Sequence, residues 1–201
     1  MTQNAVGKNE VGKIAQRRSI GARKNPNAEA AILDAALTLL QSKGVKGLTM
    51  DAVAKEAKAG KATIYRWWPT RGALLLGIYA RIKGPHTHSD TGHIETDIAA
   101  FLDYVFEFWR GDAGPVFALI IAEAQSDASV AEALAQYRAE RIKDWLVVID
   151  RAAERGELNV TLEREQIADA IIAVAWHHLL TNRLHVKGAE LVQVLGFGIL
   201  K

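Results

Sequence analysis

Residues 48–68 read LTMDAVAKEAKAGKATIYRWW, and this stretch decides the fold. Thr49 is a good helix N-cap, because its hydroxyl can accept from an otherwise unpaired backbone N–H, and Asp51 places negative charge against the dipole of the first turn. A helix is therefore expected from about Met50 to Ala57. Val53, Ala54 and Ala57 fall on one side of it at helical spacing, and their small size lets a second helix cross closely. A turn follows at Lys58–Gly60. From Lys61 a second helix turns Ile64 and Trp68 inward and leaves Lys61, Ala62, Thr63, Tyr65, Arg66 and Trp67 on the exposed side. Two short helices crossing steeply over a tight turn make a helix-turn-helix, so DNA reading is the expectation.

The same residues resemble the DNA-binding signature of the TetR family of one-component transcriptional regulators, T-x-x-x-[IV]-A-x-x-A-G-V-S-x-[GA]-T-[LI]-Y-x-[HYW]-F-x-[ST]-[KR]-x-x-L. Thr49, Val53, Ala54 and Ala57 match it, as do Ala62-Thr63-Ile64-Tyr65, Trp67, Thr70, Arg71 and Leu74. Two departures bear on the geometry of the turn. Lys58 stands where the family usually has Gly to end the first helix, and it carries a steric penalty if the backbone there is left-handed. Gly60 stands where the family usually has a capping Ser and is the weaker cap.

The 201-residue chain is 49% apolar and has no cysteine, which excludes disulfides, thiolate metal sites and thiol nucleophiles. No apolar run reaches transmembrane length and residues 1–24 lack the apolar segment of a secretory signal, so a soluble, cytoplasmic protein without membrane partners is expected. The net charge of +2 hides a division: residues 1–83 hold 15 Lys and Arg against 5 Asp and Glu, and residues 84–201 hold 10 against 18. A basic head on an acidic body is the electrostatic footprint of nucleic-acid binding.

Residues 1–24 carry Lys8, Lys13, Arg17, Arg18, Arg23 and Lys24 with few large apolar residues, and read as a flexible basic tail. Such a tail is either an arm along DNA or a solubilising segment. Residues 25–70 read as the helix-turn-helix domain, opened by a helix bearing Ile32, Leu33, Ala36, Leu37 and Leu40, and residues 71–201 as a ligand-binding and dimerisation body. Pro69 stops the recognition helix and Thr70 caps the next, about Thr70–Lys83. Arg71 is unfavourable for the dipole in its first turn, which points to a phosphate partner. His86, His88 and His93 lie in a loop where an H-x-H pair with a third His could take a metal, but no second shell accompanies them and no metal or cofactor is expected. Further helices are expected at about 95–110, 115–126, 130–155 with Ser129 as cap, and 162–185 with Thr161 as cap. The whole is all-α, an N-terminal three-helix head plus a C-terminal helical bundle, about nine helices.

The helix at 162–185 has almost no polar face through its middle, so it must be covered on two sides, by its own core and by a second subunit. The family resemblance, which extends through residues 122–127 and 154–158 to most of residues 90–185, implies a four-helix interface built from two C-terminal helices of each subunit. The interface candidates are Ile167, Ile171, Val174 and His178, with Leu191, Val192 and Leu195 from the last apolar stretch. A two-fold dimer presents two recognition helices to successive major grooves of double-stranded DNA and implies a near-palindromic operator. Lys61, Thr63 and Arg66 are candidates for base edges, with Ala62 on the same face, and Thr49, Tyr65 and Arg71 for phosphates. Trp67 either packs on sugar and backbone or is a core aromatic beside Trp68. The resemblance also implies a small-molecule effector in the body, for which Phe106, Trp109, Phe117, Ile121, Trp145, Trp176 and His177 are candidate lining. His177 and His178 point about 100° apart and cannot both line one narrow cavity.

The expected protein is a dimeric, ligand-responsive regulator, by family habit a repressor. The alternative is a ligand-binding scaffold or enzyme that keeps the helix-turn-helix only as structure. Against an enzyme, the chain has no H-E-x-x-H, no G-x-S-x-G and no Gly-rich phosphate loop ahead of a helix.

Overall fold

The computed structural model describes residues 26–84, 88–158 and 161–199; the basic tail and His86 lie outside them. Among the described residues there are nine α-helices and a short 3-10 turn, Val45–Gly47. Helices α1 (Pro26–Lys43), α2 (Met50–Glu56) and α3 (Lys61–Trp67) form the head, and α4 (Arg71–Lys83) packs on both α1 and the body helices α6 and α7. The body contains α5 (Ile94–Arg110), α6 (Ala113–Ala124), α7 (Ala128–Glu154), α8 (Arg164–Leu180) and α9 (Gly188–Ile199). The all-α class and the division into head and bundle are as expected.

Helix starts follow the side chains that can satisfy their first N–H groups. Thr49 accepts from Ala52 N–H at 3.1 Å and Thr70 from Ala73 N–H at 3.1 Å. Helix α7 begins two residues earlier than expected because Asp127, not Ser129, is its cap: Asp127 Oδ1 accepts from the N–H groups of Ser129 (2.9 Å) and Val130 (3.2 Å). These bonds, together with one from the Ser129 hydroxyl, hold the Asp127 carboxyl below its usual range. Helix α8 is shorter at both ends than expected. Its N-cap is Glu163 rather than Thr161, and its C-terminus closes where Asn182 takes a left-handed φ of 56°. At α5 the first N–H is capped from a distance, Ile94 N–H donating to Glu157 Oε2 at 2.7 Å.

The head's core is Ile32, Leu33, Ala36, Leu40, Val53, Ile64 and Trp68, all buried. The three apolar faces read from sequence therefore meet. In the body the packing is aromatic: Tyr79 of α4 stacks on Phe117 of α6 at 4.5 Å between centroids, and Trp109 of α5 stacks on Phe117 at 5.6 Å. Such offset pairs add to the area they bury and fix the register of α4 against α5 and α6.

Candidate nucleic-acid interface and interior cavity

The turn between α2 and α3 explains the geometry of the face that follows it. Lys58 sits at φ 49°, the left-handed position past a helix end that glycine normally takes. Ala59 N–H bonds back to Ala54 O at 3.0 Å and Lys58 N–H to Lys55 O at 3.2 Å, closing the last carbonyls of α2. Gly60 is in ordinary extended backbone (φ −67°) and caps α3 with no side-chain bond. The steric penalty anticipated at Lys58 is therefore present, and the chain accepts it to aim α3.

Helix α3 buries Ile64 and turns Lys61, Ala62, Tyr65 and Arg66 to solvent; Tyr65 is 47% exposed although aromatic. Thr63 and Trp67 are half-buried, and the Trp67 ring lies 6.0 Å from that of buried Trp68. Lys43, Lys46, Lys55 and Lys58 are exposed on the same head. Lys61 Nζ lies 2.7 Å from Asp51 Oδ1, tying the start of α3 to the start of α2, and the Asp51 carboxylate raises the Lys61 pKa. Thr49, its hydroxyl engaged as the α2 cap, is exposed at the same edge.

Arg71 is placed differently from the phosphate contact expected of it. Its Nε donates to Leu48 O at 2.9 Å and its Nη1 pairs with the Glu123 carboxylate of α6. That anion from the body supplies the charge which the first turn of α4 lacks, so Arg71 joins head to body.

In the body, α4, α5, α7 and α8 enclose a cavity with about 40 Å³ of clear space, room for a few atoms before any side chain moves. Of the candidate lining residues, Trp109, Trp145 and Trp176 border it. Phe106, Phe117 and Ile121 do not: they are buried in the core, Phe106 against the His178 ring at 5.4 Å and Phe117 behind Tyr79. His177 also leaves the cavity, being exposed on the outer side of α8. The sequence reading missed Tyr79, Lys83, Tyr137 and Arg141, which line the wall. Their signal was available: Tyr79/Lys83 on α4 and Tyr137/Arg141 on α7 are i,i+4 pairs of an aromatic with a cation. Trp109 Nε1 donates to the Tyr79 hydroxyl at 3.0 Å, and burial pushes the Tyr79 pKa far upward, so this phenol is neutral. His88 packs on Trp145 at 4.4 Å, and His93, next to the α5 start, is exposed. Among the described residues no group of three His, Asp or Glu is arranged to hold a metal, and no helix is long and apolar enough to cross a membrane.

The proposed dimer residues divide. Ile167, Ile171, His178 and Val192 are buried in the protomer's own core, which removes them from any subunit face. Val174, Leu191 and Leu195 are half-buried. The outward stripe of α8 is instead Ala170, Ala173, His177 and Leu180, without a formally charged side chain, and Leu180 is 54% exposed; Val194 of α9 is 70% exposed. Two alanines followed by His177 and Leu180, at spacings of three and four, carried this stripe in the sequence.

A helix-turn-helix with a solvent-facing second helix, set on a separate helical body, defines a DNA-binding transcriptional regulator. Residues 32–78 match the family model described as bacterial regulatory proteins, tetR family, and residues 88–196 the one described as tetracyclin repressor-like, C-terminal domain. The chain belongs to the TetR family. It is 29% identical over 169 residues to the uncharacterized HTH-type transcriptional regulator YdeS of Bacillus subtilis, covering 80% of this chain and 82% of that one. It is 28% identical over 153 residues to the DNA-binding transcriptional repressor TetR of Mycobacteroides abscessus, covering 75% and 80%. Among solved structures, the TetR family transcription regulator SCO0332 superposes with a TM-score of 0.66 at 28% identity, covering 85% of this chain and 95% of that one.

Proposed function

We propose that the protein is a homodimeric repressor that binds a near-palindromic operator and releases it when a small molecule occupies the body cavity. The observation that carries this is the solvent-facing surface of α3, where Lys61, Tyr65 and Arg66 stand clear of the core on a head rich in exposed lysines. In this reading Lys61, Thr63 and Arg66 meet base edges, Ala62 lies against the groove floor, and Thr49, Tyr65 and the half-buried Trp67 meet the backbone. The tail at 1–24 adds sequence-independent attraction. The uncharged stripe of α8, with Leu180, and the exposed Val194 of α9 form the subunit contact, burying over roughly 1,000 Å² in total. Residues 26–70 are the reading head and 71–199 the sensing and pairing body, with α4 as the link between them. The protein catalyses no reaction and needs no cofactor.

The test is a pull-down of genomic fragments with the purified protein beside an Arg66→Ala, Tyr65→Ala double variant. Enrichment of one near-palindrome by the native protein alone is the expected result, and the genes beside it would locate the regulated function. Equal recovery of unspecific DNA by both proteins would leave the helix-turn-helix as a fold element only.

A further inference from the structure

We propose that the body cavity is a site for a small aromatic anion, with Arg141 and Lys83 as partners for its carboxylate and Tyr79, Trp109, Tyr137 and Trp145 as walls for its ring. This rests on the reading of the cavity as the effector site and names the chemical class of the occupant.

The two cations converge on one ring. The Arg141 guanidinium carbon lies 5.1 Å from the Tyr137 centroid and Lys83 Nζ lies 5.8 Å from it, one coming from α7 and the other from α4. Arg141 Nε is buried and has no acceptor among the described residues. A buried donor on a charged group that lacks its acceptor is costly, and the cavity it borders is the space from which an acceptor can arrive. The two acids near the cations differ in place: Asp144, 3.1 Å from Arg141 Nη2 and 45% exposed, stands at the cavity wall, whereas Glu140, 3.8 Å away and 67% exposed, lies outside it; Arg141 is 29% exposed. Both acids face the Nη2 end of the guanidinium and leave Nε without an acceptor, and the two carboxylates share the charge of the two cations. Tyr104 from α5, His88 from the preceding loop and Asp144 from α7 complete the polar groups at this cavity, the last already paired with Arg141, and α8 supplies only Ile172, Ala175 and Trp176.

Lys83 reports the same deficit. Burial first, and then the neighbouring Arg141, bring its pKa down to about 8 in spite of the opposing pull of Asp144 and Glu140. An arriving carboxylate reverses this by favouring the ammonium. A cationic ligand is disfavoured in turn, since the Tyr137 face is already shared by two positive groups. The clear volume holds only a few atoms, so a ring of one or two fused cycles enters only as lining side chains, half-buried Phe108 and exposed Tyr104 among them, swing aside.

Calorimetric titration of the full chain with benzoate and 2-naphthoate, each against its own amide, and with benzyltrimethylammonium tests the assignment. The carboxylates are expected to bind at least about 10-fold more tightly than their amides at pH 7, as for a charge-assisted bond in a sheltered site. Arg141→Gln should erase that preference while amide affinity stays. Carboxylate affinity should weaken about 3- to 10-fold between pH 7 and pH 9.5, as free Lys83 loses its proton, and Lys83→Gln should abolish this dependence. A thermal melt confirms that each variant is folded; if Arg141→Gln is not, Lys83→Gln carries the test alone through the pH dependence. Amides that bind as well as the acids, a tighter ammonium, or no binding by any probe would overturn the proposal. Operator affinity measured with and without bound carboxylate separates the two readings. An unchanged operator affinity would defeat the effector role and leave the anion site standing.

Discussion

Lys58 and Gly60 sit in each other's natural places. The residue with a side chain occupies the left-handed position, and the residue without one occupies extended backbone where a Cβ would meet nothing closer than Thr63 Oγ1 at 3.9 Å. Lys58→Gly removes a left-handed strain of about 1–2 kcal/mol, partly offset by the glycine's extra freedom when unfolded, and Gly60→Ser adds a cap. The double variant should unfold about 1 kcal/mol harder in urea, with unspecific DNA affinity slightly reduced by the lost cation. A second residue-scale prediction concerns Asp51, which holds Lys61 at 2.7 Å with both side chains well exposed. A phosphate must compete with that carboxylate for the ammonium. Asp51→Asn should therefore tighten DNA binding by about 3- to 10-fold at low salt, an effect that fades as salt screens the charges. Weaker binding in a band-shift titration would show that Asp51 is needed to aim α3.

Among the elements, α4 and α7 meet at Gly72, where an added Cβ would lie 2.1 Å from Val130 Cγ2. Gly72→Ala should cost about 1–3 kcal/mol of stability by forcing the helices apart. Val130→Ala should relieve much of it, giving a favourable coupling in a double-mutant cycle; strictly additive losses would mean the helices do not touch there in solution. This contact was not legible in the sequence, because a glycine inside a helix looks the same whether it is a weakness or a seat for a neighbour. The head was legible because its helices are amphipathic and locally capped: Thr49, Thr70, Ile64 and Trp68 all stand where the pattern put them. The cavity was half legible. Three tryptophans were found by size, whereas Phe106, Phe117 and Ile121 share their chemistry and only three-dimensional packing sends them to the core instead. The internal partner of Arg71 was missed for the same reason, its anion lying 52 residues away in α6.

At the scale of the molecule, the apolar exposure of Leu180 and Val194 invites a second copy. Leu180→Glu with Val194→Glu should yield monomers in sedimentation while helical content is kept. Operator affinity should then fall steeply, and the slope of log K against log salt, expected near −5 for about six phosphate contacts, should shrink toward half. A variant that stays dimeric would move the contact to another face. The Arg71 bridge has a consequence for anyone recombining such proteins. One guanidinium holds the carbonyl of Leu48 with one nitrogen and the carboxylate of Glu123 with another, so the boundary between the two parts is a three-point joint rather than a cut in the chain. A hybrid that grafts this head onto a foreign body will keep its alignment only if that body presents an arginine and an acid equivalent to Arg71 and Glu123.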